Sequence, residues 1–113
     1  MNNREIITLM HKLSCRHLGP SGDWVSVFDD NDSLDKTKFN QLLFSSINSD
    51  TVLIYCNENN LAESSLEDAY SIVSEFIKIG TVNLADPRFT SQVEVDPIGI
   101  GAKYLTNKAI KQD

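Results

Sequence analysis

Thr51-Val52-Leu53-Ile54-Tyr55-Cys56 decides how this chain folds. Val52, Ile54 and Cys56 alternate with Thr51, Leu53 and Tyr55, and both sets are mainly apolar. A strand written this way needs cover on both faces, which predicts a place near the centre of a sheet with material packed above and below. Polar turns bracket it: Asn48-Ser49-Asp50 before, and the loop Asn57-Glu58-Asn59-Asn60 after.

Upstream, Phe39, Leu42, Leu43 and Ile47 recur at helical spacing and predict a helix over about 34–47, capped by Ser33 or Asp35. Asp29-Asp30-Asn31-Asp32-Ser33 reads as a polar loop. Residues 23–28 read as a mostly covered strand, with Trp24, Ser26 and Phe28 on one face and Val25 and Val27 on the other. Ile6, Met10 and Leu13 mark a first helix over 4–18, ended by Gly19-Pro20.

Downstream, Ser64-x-x-Glu67 is a capping box ahead of Leu66, Ala69, Tyr70, Val73, Phe76 and Ile77, a helix closed by Gly80. Thr81–Leu84 reads as a strand and Asp86-Pro87 as a turn. Gln92–Val95 alternates as a half-exposed strand does. Ile98–Gly101 reads as a short edge strand or a loop, and 102–110 as a short terminal helix. The order is α-β-α-β-α-β-β. The expected fold is α+β: a single mixed sheet of about four strands packed by three helices. Parallel pairing is expected through the two βαβ passages, 23–56 and 51–84. A chain of 113 residues, 41% apolar and 23% charged, suits one globular domain.

Charge is distributed unevenly. Between Asp23 and Glu75 lie eleven carboxylates against Lys36 and Lys38, a net of −9; the flanking segments carry +2 and +1, leaving −6 overall. Such a field repels nucleic acid and anionic membrane and draws in basic partners. Lys103, Lys108 and Lys111 near the end make no basic stripe interleaved with aromatics, so direct nucleic-acid binding is not expected. No apolar run approaches a membrane span of about 20 residues. No signal-like apolar stretch follows the start, which points to the cytoplasm with Cys15 and Cys56 reduced.

Motifs for chemistry are weak. Asp29, Asn31, Ser33 and Asp35 alternate as calcium-loop ligands do, but Leu34 replaces the turn glycine and Asn40 the closing acid. An acidic turn capping the next helix is the plainer reading. His11, Cys15 and His17 lack the paired spacing of a zinc site. Cys56, with a histidine as base, would suit a cysteine hydrolase, yet no local signature accompanies it. The G-x-G of Gly99 and Gly101 lacks both a third glycine and a following helix, as a phosphate cradle requires. No cofactor, metal or catalytic residue is assigned.

What remains is the acidic surface. The expected function is non-enzymatic binding of a basic protein, as an inhibitor of immunity or antitoxin type does when it covers a cationic toxin or nuclease. If the strands at 23–28 and 51–56 are parallel neighbours, the loops that follow them share one rim. The contacts would then be Asp29, Asp30, Asp32, Asp35, Glu58 and Glu63, with Trp24 or Tyr55 as an aromatic anchor. Two other readings stand beside it: a small enzyme or ligand-binding domain with its site at Cys56, and an assembly subunit joined through the strand at 92–95 or the glycine-rich edge.

Overall fold

Six strands pair into one sheet in which every neighbouring pair is antiparallel. The structure is a computed structural model that describes residues 4–9 and 24–104. Residues 4–9 are helical (α1). There follow β1 (Val25–Ser26), α2 (Lys36–Ser46), β2 (Thr51–Asn57), β3 (Asn60–Ser65), α3 (Leu66–Phe76), β4 (Val82–Ala85), β5 (Gln92–Asp96) and β6 (Ile100–Tyr104). Their order across the sheet is β1-β6-β5-β4-β2-β3.

The α+β class and the single sheet agree with the sequence, whereas the mixed pairing and the count of about four strands do not. The cause is a hairpin after β2. Asn57 Oδ1 accepts the backbone N–H of Asn59 at 2.9 Å and the side-chain amide of Asn60 at 2.9 Å, so the chain reverses over Glu58-Asn59. β3 then runs back along β2, with Leu53 opposite Glu63 and Tyr55 opposite Leu61. That extra strand inverts the direction of everything after it. β4 therefore meets β2 antiparallel, with Leu53 opposite Ala85, where a parallel crossover was expected.

Other expectations shift as well. β1 is two residues long and exposed, because Val25 and Ser26 pair on one side only, with Gly101 and Ile100. β5 is the buried middle of the sheet, flanked by β4 and β6, instead of a half-exposed strand. Residues 100–104 are a strand, paired with β5 along its length and with β1 at Ile100 and Gly101, so neither an edge at 98–101 nor a helix beginning at 102 forms. The cap of α3 is Ser65, not Ser64: its side chain accepts the N–H of Asp68 at 3.2 Å. Asp35 caps α2, accepting the N–H of Lys38 at 3.0 Å. The remainder of the expected first helix and of the terminal helix lies outside the described residues.

β2 is covered on both faces, as its pattern requires. Val52 and Ile54 join Val82, Leu84, Val93 and Val95 under Phe39, Leu42 and Leu43 of α2 and Leu66, Ala69 and Val73 of α3. Leu53 faces the other way and, with Ala85, packs against Ile6 of α1. Fully burying each such side chain contributes roughly 1.5–3 kcal/mol before the cost of ordering the chain.

Two glycines let the β5–β6 hairpin close on its neighbours, Gly99 against Phe28 and Gly101 against Leu42 of α2. Gly99 sits at φ 101°, in the region L side chains avoid, and a Cβ there would lie 3.0 Å from the Phe28 ring. At Gly101 a Cβ would lie 2.7 Å from Leu42 Cδ2 and 3.2 Å from the Glu94 carbonyl. Gly99→Ala is expected to lose about 1–3 kcal/mol of stability, from backbone strain together with the ring contact. Urea unfolding measures this, and a loss below about 0.5 kcal/mol would mean that the turn relaxes around the added methyl.

Candidate functional site

The acidic loop at 29–35 is held as a rigid turn. Phe28 and Leu34 form an antiparallel bridge, and the Asp29 N–H donates to the Ser33 carbonyl at 2.8 Å. The Asp29 carboxylate turns inward and accepts the N–H groups of Asn31 at 2.8 Å and Ser33 at 3.1 Å. Asp32 holds φ 60°, a conformation short polar side chains tolerate. Asp29 and Asp35 therefore build the loop and the helix start, whereas Asp30 and Asp32 project into solvent. Neither exposed carboxylate makes an ion pair with a described cation.

Bases border this loop. Lys38 Nζ donates to the Phe28 carbonyl at 3.1 Å, and Lys36 Nζ stands 5.9 Å from the centre of the Tyr70 ring. Beside them a small groove of about 460 Å³, lined by Val25, Lys38, Leu42 and Lys103, runs between α2 and β1. The β1 corner thus presents two free aspartates beside a lysine-bordered groove, not a uniformly negative surface.

The other acids are elsewhere. β1 and β2 run in the same direction, so the 29–35 loop and the Glu58-Asn59 turn do emerge from one end of the sheet. They are not neighbours, however, because β6, β5 and β4 lie between them. Four strand spacings put β2 about 19 Å from β1, well beyond the Debye length of about 8 Å at physiological salt. Glu58 is exposed at that distant turn, and Glu63 is exposed on the edge strand β3. Tyr55 is half-buried, packed beside Leu53, Ala85 and Ile6. Trp24, 39% exposed, sits beside β1, about 13 Å of strand from the acidic turn. The eight sequence-predicted contacts therefore separate into a β1 group (Trp24, Asp29, Asp30, Asp32 and Asp35) and a β2–β3 group (Tyr55, Glu58 and Glu63).

At the opposite end of the sheet a broad open cleft of about 1400 Å³ includes Asp50, Glu67, Asp86 and Arg88. Asp86 is buried and already engaged: its Oδ1 accepts the N–H groups of Thr90 at 2.7 Å and Ser91 at 3.0 Å, and its Oδ2 accepts the Thr90 hydroxyl at 2.7 Å. That geometry builds the β4–β5 turn. The sequence reads Asp86-Pro87 as a turn, and these bonds to Thr90 and Ser91 are what hold it.

Cys56 lies beneath the end of α3, its thiol directed at the Phe76 carbonyl at 3.7 Å and 3.8 Å from where a Cβ at Gly80 would stand. Burial pushes this thiol above its ordinary value of 9.0. A nucleophilic cysteine needs the reverse shift, so that thiolate exists at neutral pH. Cys15, His11 and His17 lie outside the described residues. Among the described residues no three His, Cys, Asp or Glu side chains converge to hold a metal ion. Gly99 and Gly101 serve packing against Phe28 and Leu42, and no helix follows them among the described residues.

Two outcomes follow from this geometry. Asp29→Ala removes the acceptor of two backbone N–H groups and is expected to cost about 1–2 kcal/mol, whereas Asp30→Asn should stay within about 0.5 kcal/mol of the parent in urea unfolding. Equal losses would contradict the division into structural and free carboxylates. For Cys56, the raised folded value means that the folded chain holds this proton longer than the unfolded one. Its contribution is full below pH 9.0 and is lost as pH climbs past the folded value. Thiol labelling at neutral pH should accordingly run slower than for an exposed cysteine, and the alkaline loss of stability should shrink in Cys56→Ala; labelling faster than an exposed thiol would refute the burial argument. No protein-family model matches this chain, and no curated protein or solved structure matches it significantly.

Proposed function

We propose that this protein is a non-enzymatic binding protein that docks on a basic protein partner, in the manner of an immunity or antitoxin inhibitor that covers a cationic toxin or nuclease. The observation that carries this reading is the pair of exposed aspartates, Asp30 and Asp32, held on a pre-formed turn. A rigid turn loses little entropy when it binds, so its charges are presented at low ordering cost. Exposed carboxylates of this kind steer a cationic partner and raise its association rate.

The docking surface is the β1 corner. Asp30 and Asp32 supply charge, and Trp24 and Val25, both exposed at the β1 edge, supply apolar contact. Asp29 and Asp35 contribute to the local field while serving the loop. Glu58 and Glu63 act as a second, distant group, met only by a partner that spans the end of the sheet. Tyr55 is not an anchor in this reading, because it packs against α1. A cationic protein target in the cytoplasm suits this surface better than nucleic acid, which the net charge of −6 repels. No helix among the described residues is long and apolar enough to cross a membrane. The raised thiol of Cys56 weighs against the alternative of an enzyme centred there.

Association kinetics test the proposal, with a panel of basic toxin nucleases as the probe. The association rate should fall at least about tenfold between low and physiological-to-high salt. The double variant Asp30→Asn/Asp32→Asn should slow association several-fold at low salt while leaving unfolding unchanged. A rate indifferent to salt, or a double variant that binds as the parent does, refutes docking at this corner.

A further inference from the structure

Among the described residues, four turns leave the end of the sheet at which β1 and β2 finish. They are the acidic turn at 29–35, the β5–β6 turn at 96–99, the turn at 77–80 between α3 and β4, and the Glu58-Asn59 reversal. Two of them carry an isoleucine that the core does not use. Ile98 is 78% exposed and Ile79 57%, the two highest values among the exposed large apolar side chains described.

The β5–β6 turn is built by the residues around Ile98. The Gly99 N–H donates to the Asp96 carbonyl at 2.9 Å, and Asp96 Oδ1 accepts the Ile98 N–H at 3.0 Å. Neither Pro97 nor Ile98 has a positive φ, which makes this a type I turn. Asp96 at its first place, Pro97 at its second and Gly99 at its fourth are the residues such a turn favours, and Ile98 alone departs from the pattern. A side chain so exposed buries little apolar surface and adds little to stability. The tip is nonetheless fixed in place. The Val27 N–H donates to the Gly99 carbonyl at 2.8 Å, and the Phe28 ring lies against Gly99. One strand spacing, about 5 Å, separates the tip from Phe28, where the acidic turn begins. Trp24 stands at the other end of β1. Ile79 is also held, its N–H donating to the Phe76 carbonyl at 2.9 Å in a turn that passes Cys56 at the end of β2.

We infer that this end of the sheet is the face that meets the basic partner proposed above, with Ile98 and Ile79 as its apolar centre and Asp30, Asp32 and Glu58 as its charged flanks. The inference rests on that reading and moves the apolar contact from Trp24 to the turns. Strand order sets the groups out across the face. Asp30 and Asp32 lie beyond β1, Ile98 over β5 and β6, Ile79 beside β4 and β2, and Glu58 beyond β2 and β3. Apolar side chains at the centre with charge at the margins is the division found in protein interfaces, where the centre loses its water and the rim keeps it. Charge complementarity names the occupant. Asp30, Asp32 and Glu58 make no ion pair with a described cation. The lysines of this end are engaged: Lys38 with the Phe28 carbonyl, Lys36 over the Tyr70 ring and Lys78 with Glu75. The surface that fits is a protein with two cationic patches about 19 Å apart, the span of four strand spacings, and apolar recesses between them.

Binding kinetics of the full chain with the panel of basic toxin nucleases test the inference. Ile98→Asn gives the turn a residue it favours and removes the apolar contact. It should leave urea unfolding unchanged or slightly improved, speed dissociation about tenfold or more, and keep the association rate within about twofold of the parent. Ile79→Ser should speed dissociation several-fold, and Glu58→Gln should slow association at low salt. Phe44→Ser, at an exposed position on the opposite end of the sheet, should bind as the parent does. A nuclease that binds the parent with the expected salt dependence but leaves Ile98→Asn and Ile79→Ser at the parent rate overturns this inference alone. A parent chain that binds no member of the panel at low salt overturns the docking reading, and this inference with it.

Discussion

Burial of β2 on both faces is the constraint from which the rest of this structure follows. Ile54 and Val52 cannot be shielded by the same layer as Leu53, because successive side chains leave the strand on opposite sides. One layer is supplied by α2 and α3, and Ile6 of α1 serves the other face. Pairing on both edges of β2 is required too, since its backbone has no water to turn to. β3 meets one edge and β4 the other. The antiparallel sheet extends outward from those two pairings to β5, β6 and the short β1.

The legible parts of the fold were those whose signal is local. α2 and α3 carry helical spacing and capping residues in their own sequence, and β2 carries its two-faced pattern. β3 carries none of this: Asn60-Leu61-Ala62-Glu63-Ser64-Ser65 has no β-branched residue, and its strand form comes from pairing with β2 after the Asn57 turn. β6 is similar, because Ala102-Lys103-Tyr104 suits a helix by propensity and is overridden by pairing with Gln92, Val93 and Glu94 of β5. The parallel crossovers were inferred from a βαβ order that looked uninterrupted. One unseen hairpin was enough to reverse each later strand.

The candidate site was legible in composition but not in division of labour. Sequence counts carboxylates; it does not say which are already bonded. Asp29 and Asp35 hold backbone N–H groups, Asp86 holds a turn together in a buried position, and Asp30 and Asp32 do neither. These roles depend on which amides the turn brings within about 3 Å, and that is a property of the folded loop. The expected single rim depended in the same way on strand order. Direction was right, for the loops after β1 and β2 do leave the same end of the sheet, but three intervening strands separate them.

That separation gives the molecule two sides with different physical character. The β1 side has a short edge, a rigid acidic turn and bordering lysines, all suited to polar recognition. The β3 side has a six-residue strand at the end of the sheet and a helix flank whose Ile72 and Phe76 pack against the core. Five strand spacings, about 24 Å, lie between the two edges. At that distance, about three times the screening length of about 8 Å, charge at the acidic turn is not felt at the β3 edge.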